Sequence, residues 1–549
     1  MKRFVLILSI CLLAGAMPTI ASTRAKHGRA SSQPRLISGL GSLHHPVSTK
    51  NATAQEFFDQ GLKLIYGFNH EEARRSFQRA AELDPKLAMA WWGVALAIGP
   101  NYNFPADPGR EKAAHDAVQR AISLQENASE AERAYINALA FRYSNDPKSD
   151  LHQLDLTYRD AMAKLVRHYP DDLDAATLYA DSAMNVHRWQ LWLRGGQPNE
   201  GTEEIVSVLE SVLDRNPDHL GANHFYIHAM EASTHPERAL ASAARLERLA
   251  PAAGHLLHMP SHIYARVGDF DAAARANAKA LVADQKFIRS RQESGFQAVM
   301  LYLHDLHFLT YAYCMSGDFP GAKRAAERLV NEARPDLKQM PMMEGFVTAL
   351  LSVLVTFERW KDILQLPAPD QSLLYLTGNW HFARGMAFAG LGRAREAQTE
   401  AKACFSAFAR LPHDASFDSY NSVSDIARVQ ENLLAAMIQR ADREHGEEGE
   451  GAEEALSHAI AAEDNLNYTE PPSWFPPTRP MLGRALLDEG KAAAAEKVFR
   501  NALEKTPRYF RALTGLRDSL KKQGRDYEAG LIEQQLHAQQ NDQGAPVSR

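Results

Sequence analysis

Between Gly61 and Pro85 the chain reads GLKLIYGFNHEEARRSFQRAAELDP, and its apolar positions fall into two runs around one polar break. Leu62, Leu64, Ile65 and Tyr66 crowd the first run. In the second, Ala73, Phe77 and Ala80 recur at four and three residues with charged side chains between them, the period of a helix that buries one face. Asn69-His70 marks the connection, and Asp84-Pro85 closes the unit, since proline cannot continue a helix. The pattern predicts two helices joined by a tight turn. Gly61, Ala73, Phe77, Ala80 and Pro85 are spaced by 12, 4, 3 and 5 residues, and Gly483, Ala495, Phe499, Ala502 and Pro507 repeat those intervals near the other end. Gly385 and Ala397 keep the 12-residue interval in the middle, where GLGRAREA and AKACFSAF read as another such pair.

This spacing resembles the tetratricopeptide repeat, a family of stacked helix pairs in which small residues let the two helices approach closely. The resemblance implies an all-α, tetratricopeptide-type α-solenoid from about Gln55 to Leu536, with irregular insertions. It divides the chain into N-terminal repeats at 54–215, central histidine-rich repeats at 216–335, further repeats at 336–443 and C-terminal repeats at 456–538. Insertions fall at Gly99–Pro105, at Trp189–Thr202 and at Asp284–Gln297. Residues 444–455 form an acidic, glycine-rich linker. Tyr468 to Pro480 carries five prolines, which forbid a helix and predict a rigid extended segment. Residues 539–549 read as a disordered tail.

Composition adds a compartment. Lys2 and Arg3, an apolar run from Phe4 to Ala16 and small residues up to Ser22 predict a secretory signal at 1–22, and hence a periplasmic or secreted protein. The competing reading is an uncleaved anchor; the run is short for a membrane span, and no second one follows. Residues 23–53, basic and rich in Ser, Gly and Pro, predict a flexible leader in which His44-His45 is a solvated pair. A net charge of −6 and a pI near 6.4 leave no footprint for nucleic acid. Outside Cys11 of the signal, only Cys314 and Cys404 occur, so no disulfide framework supports the fold.

Histidine supplies the candidate chemistry. Eight of the 22 histidines lie between His224 and His307. His224 and His228 are four apart, with Glu231 three further on; His255, His258 and His262 follow at three and four; His304 and His307 are three apart. The first two sets are in register, because 258 − 224 and 262 − 228 both equal 34, the tetratricopeptide period. Matching Gly268-Asp269-Phe270 to Gly317-Asp318-Phe319 gives a shift of 49, which places His255 on His304 and His258 on His307. In the repeat family the first helix of each pair lines the concave surface, and all three sets fall on it. Packed helices lie roughly 8–10 Å apart, close enough for imidazoles on neighbouring helices to converge.

His224, His228, Glu231, His255, His258, His262, His304 and His307 are therefore candidate ligands of a transition metal, copper, zinc or iron, with about three histidines for each of two ions or one ion inside an outer shell. Tyr226, Tyr264 and Tyr311 are candidate hydrogen-bond partners of those ligands. Asn185, His187 and Trp189 are candidates to line the same groove, and Glu470, Trp474 and Arg479 to fold over it as a lid. Pro260 predicts a kink between His258 and His262. No nucleotide loop, nucleophile elbow, H-E-x-x-H or C-x-x-C motif assigns a reaction; such a centre would serve a metal-dependent oxidase or hydrolase. The alternative is a non-catalytic scaffold that holds a partner protein or peptide in its groove, with the histidines as polar contacts. The layout of NHFYIHAMEAS, HMPSHIY and EPPSWFPPTRP is also similar to exported bacterial members of the repeat family.

Overall fold

A computed structural model describes residues 34–105, 107–290, 296–418, 420–443 and 451–543. The signal segment with Cys11, the first part of the leader, residues 444–450 of the acidic linker and the last six residues lie outside the described residues. Among those described, helix follows helix from Ala52–Tyr66 to Asp526–Gln543, each packed mainly on its neighbours in sequence. The result is a tetratricopeptide-type α-solenoid. Among the described residues no helix is long and apolar enough to cross a membrane.

The recurring pairing of glycine with phenylalanine has a steric cause. Phe77, on the helix His70–Leu83, lies flat between Gly61 on the preceding helix and Gly93 on the following one. A Cβ at Gly61 would sit 2.5 Å from the Phe77 ring, and one at Gly93 2.4 Å from it. Phe499 repeats the arrangement between Gly483 and Gly515, at 2.6 and 2.1 Å. Each unit thus closes on its neighbours around one buried ring, and only glycine leaves room for it.

Composition misleads at the leader. Residues 34–50 lie against the first helices, because Leu40 finds a buried site and side chains on those helices satisfy the extended backbone. Gln60 accepts from the Ile37 amide at 2.6 Å and donates to the Arg35 carbonyl at 3.1 Å, while Glu132 accepts from the Ser48 amide at 2.6 Å. His45 is bonded at 2.8 Å to Asp174, 129 residues away, rather than solvated. Asp174 also accepts from the Tyr66 hydroxyl at 2.6 Å and from Nε2 of His219 at 3.3 Å; His219 and His45 hold its carboxyl far below the usual range despite burial. The described residues of the insertion at Asp284–Gln297 extend two helices: Phe270–Ser290 contains no glycine or proline and runs for 21 residues, as does Phe296–Ser316. One helix begins at Ala452, inside the stretch read as linker, and the last, Asp526–Gln543, runs into the stretch read as tail. The proline-rich segment is free of helix until Arg479.

Candidate metal centre

All twelve residues of the helix Leu220–Glu231 are buried, which no amphipathic surface helix shows. His224 and His228 therefore sit in the protein interior with Glu231. The next histidines lie on a helix that Pro260 divides into Gly254–His258 and Pro260–Arg266, with Met259 capping both. His255 and His258 fall before the division and His262 after it. His304 and His307 project from Phe296–Ser316.

The ladder sorts into two triads. Nitrogens of His224, His228 and His255 lie within 4.8 Å of one another, and so do those of His258, His262 and His304. Glu231 spans the two: one oxygen faces Nδ1 of His228 at 2.9 Å and the other is bonded to Nδ1 of His262. His307, one turn beyond His304, joins neither triad. Its ring packs on Phe346 and Phe475, with centroids 5.8 Å away in each case.

Hydrogen bonding orients these rings. The Tyr66 carbonyl lies 2.6 Å from Nδ1 of His224; a carbonyl only accepts, so that nitrogen carries the proton. Glu231 takes the Nδ1 protons of His228 and His262 in the same way. Nδ1 of His258 lies 2.7 Å from Oδ1 of Asn277, whose amide nitrogen is committed to the Ala273 carbonyl at 2.8 Å. Each of these four imidazoles consequently presents an Nε2 lone pair. The Nε2 atoms of His258 and His262 are 2.7 Å apart, and that of His304 lies 3.1 Å from that of His258. In the first triad Nε2 of His224, Nε2 of His228 and both nitrogens of His255 are buried without a hydrogen-bond partner.

Protons do not fill these gaps. Burial, reinforced by neighbouring imidazoles, holds His224, His255 and His258 well below the ordinary histidine range. Burial also lowers His228 and His304 to about 3 and His262 to about 4, the last despite the attraction of Glu231. Neutral imidazoles with converging lone pairs are the donor set that zinc, copper and iron take. Metal–nitrogen bonds of about 2.0–2.1 Å in a tetrahedral site place nitrogens about 3.3 Å apart, so the second triad would open by a few tenths of an ångström on loading.

Aromatic side chains seal the first triad. Phe68 meets His224 edge-on at 4.5 Å and stacks on His228 at 5.6 Å and His255 at 5.5 Å; Trp189 approaches His228 at 6.1 Å and stacks on Tyr102. Phe68 and Trp189 both hold φ near +55°, at 52° and 58°, as Glu358 and Arg508 do in turns between helices elsewhere. Beyond the second triad, Asp284 and Asp305 form a buried carboxyl pair. Burial raises both, Asp284 to about 7 despite its hydrogen bond with Asp305, and the Asp284 charge raises Asp305 further; Asp305 lies 3.3 Å from Nδ1 of His258.

Several expected partners are placed elsewhere. The hydroxyls of Tyr226 and Tyr264 bond Glu210 and Glu247 on the neighbouring helices, and Tyr311 packs on Phe308 and Phe475. Asn185 is bonded to Asp181, and Arg479 to Asp464 and Asn501. Trp474 packs on Phe382. Only Trp189 and Glu470 of those two groups reach the cavity beside the histidines. Sequence reasoning missed Asn277, a polar residue in the alanine-rich run ARANAKA, which was the available signal. It had no signal for Phe68 or for the Tyr66 carbonyl, which lies 158 residues from the ring that it orients.

No family model matches the chain, and no curated protein matches it in sequence. Among solved structures it is similar to the human IFIT1 dimer with m7Gppp-AAAA, at 13% identity over 89% of this chain and 90% of that one, with a TM-score of 0.34. Yeast Tom70 is similar at 9% identity over 91% of each chain, with a TM-score of 0.29. The tetratricopeptide domain of P58(IPK) gives 13% identity over 72% of this chain and all of that one, with a TM-score of 0.19. At these scores the likenesses carry no argument about the histidine cluster.

Proposed function

We propose that this chain is an exported solenoid that holds two transition-metal ions, one in the triad His224, His228 and His255 and one in the triad His258, His262 and His304. The observation that carries the reading is the 2.7 Å approach of two Nε2 atoms whose Nδ1 protons are both committed elsewhere. Two lone pairs repel at that distance unless a cation lies between them, and burial disfavours the proton. Glu231 then serves as the carboxylate that orients one ligand of each ion, a common outer partner of metal-bound imidazole. Copper, zinc and iron all suit three imidazoles, and a metal-bound water would give the centre oxidase or hydrolase chemistry.

A solenoid of helix pairs also supports a protein-interaction role, since its curved faces are extended binding surfaces. That role would use other surfaces than the first triad, whose rings are buried. The test is elemental analysis of tag-free protein beside His224→Ala and His304→Ala variants. Two equivalents in the wild type and about one in each folded variant are expected. Wild-type protein that takes up no copper, zinc or iron would overturn the metal reading and leave the interaction role.

A further inference from the structure

A cavity of about 300 Å³ adjoins the second triad, lined by Phe296–Ser316, the short helices Glu344–Val347 and Ala349–Thr356, the turn around Phe417 and the proline-rich segment. Its volume is near the lower end of the roughly 300–1,000 Å³ that small-molecule clefts span, too small for a folded partner. His304 and His307 form one side. Phe346, Tyr375, Phe417 and Phe475 supply much of the remaining wall, and Tyr375 stacks on Phe417 with centroids 4.1 Å apart and planes within 13°.

The charged groups in this cavity are few and uneven. Among the described residues that line it there is no lysine or arginine, while Asp418 and Glu470 are both acidic. Asp418 is occupied: one oxygen accepts from the amides of Tyr420 and Asn421 at 2.8 Å, and the other accepts from the Ser473 hydroxyl. Glu470 is only 7% exposed. One of its oxygens accepts from the Tyr468 hydroxyl, and the other is buried without a partner. The indole N–H of Trp189 is likewise buried and unpartnered.

An unpaired buried carboxyl oxygen costs free energy that a ligand can recover. In metal-stripped protein a carboxylate ligand would meet Asp418 and no lysine or arginine, so anions are disfavoured in that form. A hydroxyl donates and accepts at once, and a flat ring matches the wall.

We propose that this cavity binds a small, uncharged aromatic alcohol of the phenol class, with its ring against Phe346, Phe417 and Phe475 and its hydroxyl on Glu470, beside His304. The proposal deepens the metal reading, because it gives that centre a substrate class, yet its binding step needs no metal.

Calorimetric titration of metal-stripped and metal-loaded protein with 2-naphthol, naphthalene-2-carboxylate and cyclohexanol tests it. Saturable binding of one 2-naphthol is expected in at least one form, with the carboxylate and cyclohexanol at least tenfold weaker. Glu470→Leu should weaken 2-naphthol at least tenfold. Should that variant not fold, Ser352→Phe, which fills part of the cavity, should abolish binding. Equal or tighter binding of the carboxylate, no effect of either folded variant, or no binding of 2-naphthol to either form would overturn the proposal. Metal content, read separately by elemental analysis, decides the earlier reading whatever the titration shows.

Discussion

The Nε2 atoms of His258 and His262 face each other at 2.7 Å, while the Nδ1 atoms of the same two rings are bonded to Asn277 and Glu231. That pairing makes the proton state of the centre a measurable property. His228 and His304 sit at about 3 and His262 at about 4, against about 6.5 in an unfolded chain. As pH falls below about 6.5 the unfolded state takes up protons first, so it is favoured. The share of stability that these histidines give metal-stripped protein should be full above that pH and decline toward pH 4, while the raised carboxyls of Asp284 and Asp305 act in the opposite direction. Urea melts of the wild type and of His262→Gln at pH 7.5, 5.5 and 4.5 check this; a gap between the two midpoints that does not narrow as pH falls would refute the neutral, buried assignment.

Glu231→Gln keeps the shape of the side chain but not its chemistry. A glutamine has one accepting oxygen, so it can take the Nδ1 proton of His228 or of His262, and its amide nitrogen would confront the other. One ring must turn or change tautomer. Metal affinity should fall by about 10–100-fold, read by competition with a chromophoric chelator. Tyr226→Phe and Tyr264→Phe, whose hydroxyls bond Glu210 and Glu247, should leave that affinity unchanged.

Gly254→Ala tests how tightly the second triad is held. A Cβ there would lie 1.7 Å from an Asp284 carboxyl oxygen, so the carboxyl pair must shift. The expected cost is about 1–3 kcal/mol. Gly530→Ala, in the last helix with nothing within 4 Å of the new atom, should instead stabilise by about 0.5–1 kcal/mol. Chemical unfolding of both variants separates a crowded glycine from an open one.

Phe77→Ala should cost about 3–5 kcal/mol, because the ring fills the space between Gly61 and Gly93. The midpoint of denaturant unfolding gives the value; a loss below about 1 kcal/mol would show that the neighbouring helices close the gap unaided.

The repeat and the ladder were legible because both depend on regular spacing. Gly61 and Phe77 reveal a helix pair, and the shifts of 34 and 49 align the histidines before any coordinates are known. Pairings across distant sequence were not legible. His224 is oriented by a backbone carbonyl, and every residue has one, so no letter marks it. The split between His255 and His258 depends on which neighbouring helix each ring faces, and helical spacing alone leaves that open. Residues 34–50 look unstructured by composition because their partners, Gln60, Glu132 and Asp174, belong to other segments. His307 shares its helix with His304 but meets Phe346 and Phe475, which reach it from two other parts of the chain.

Glu231 touches one ring from each triad, and this makes the two sites dependent on each other. An ion that fixes His228 fixes the carboxylate, and the carboxylate then already holds His262 in place for the second ion. The reverse order gives the same advantage, since coupling between sites is reciprocal. Titrated with metal, the protein should fill in one steep, cooperative step, with half-loaded molecules scarce, and the Glu231→Gln protein should fill its sites one at a time.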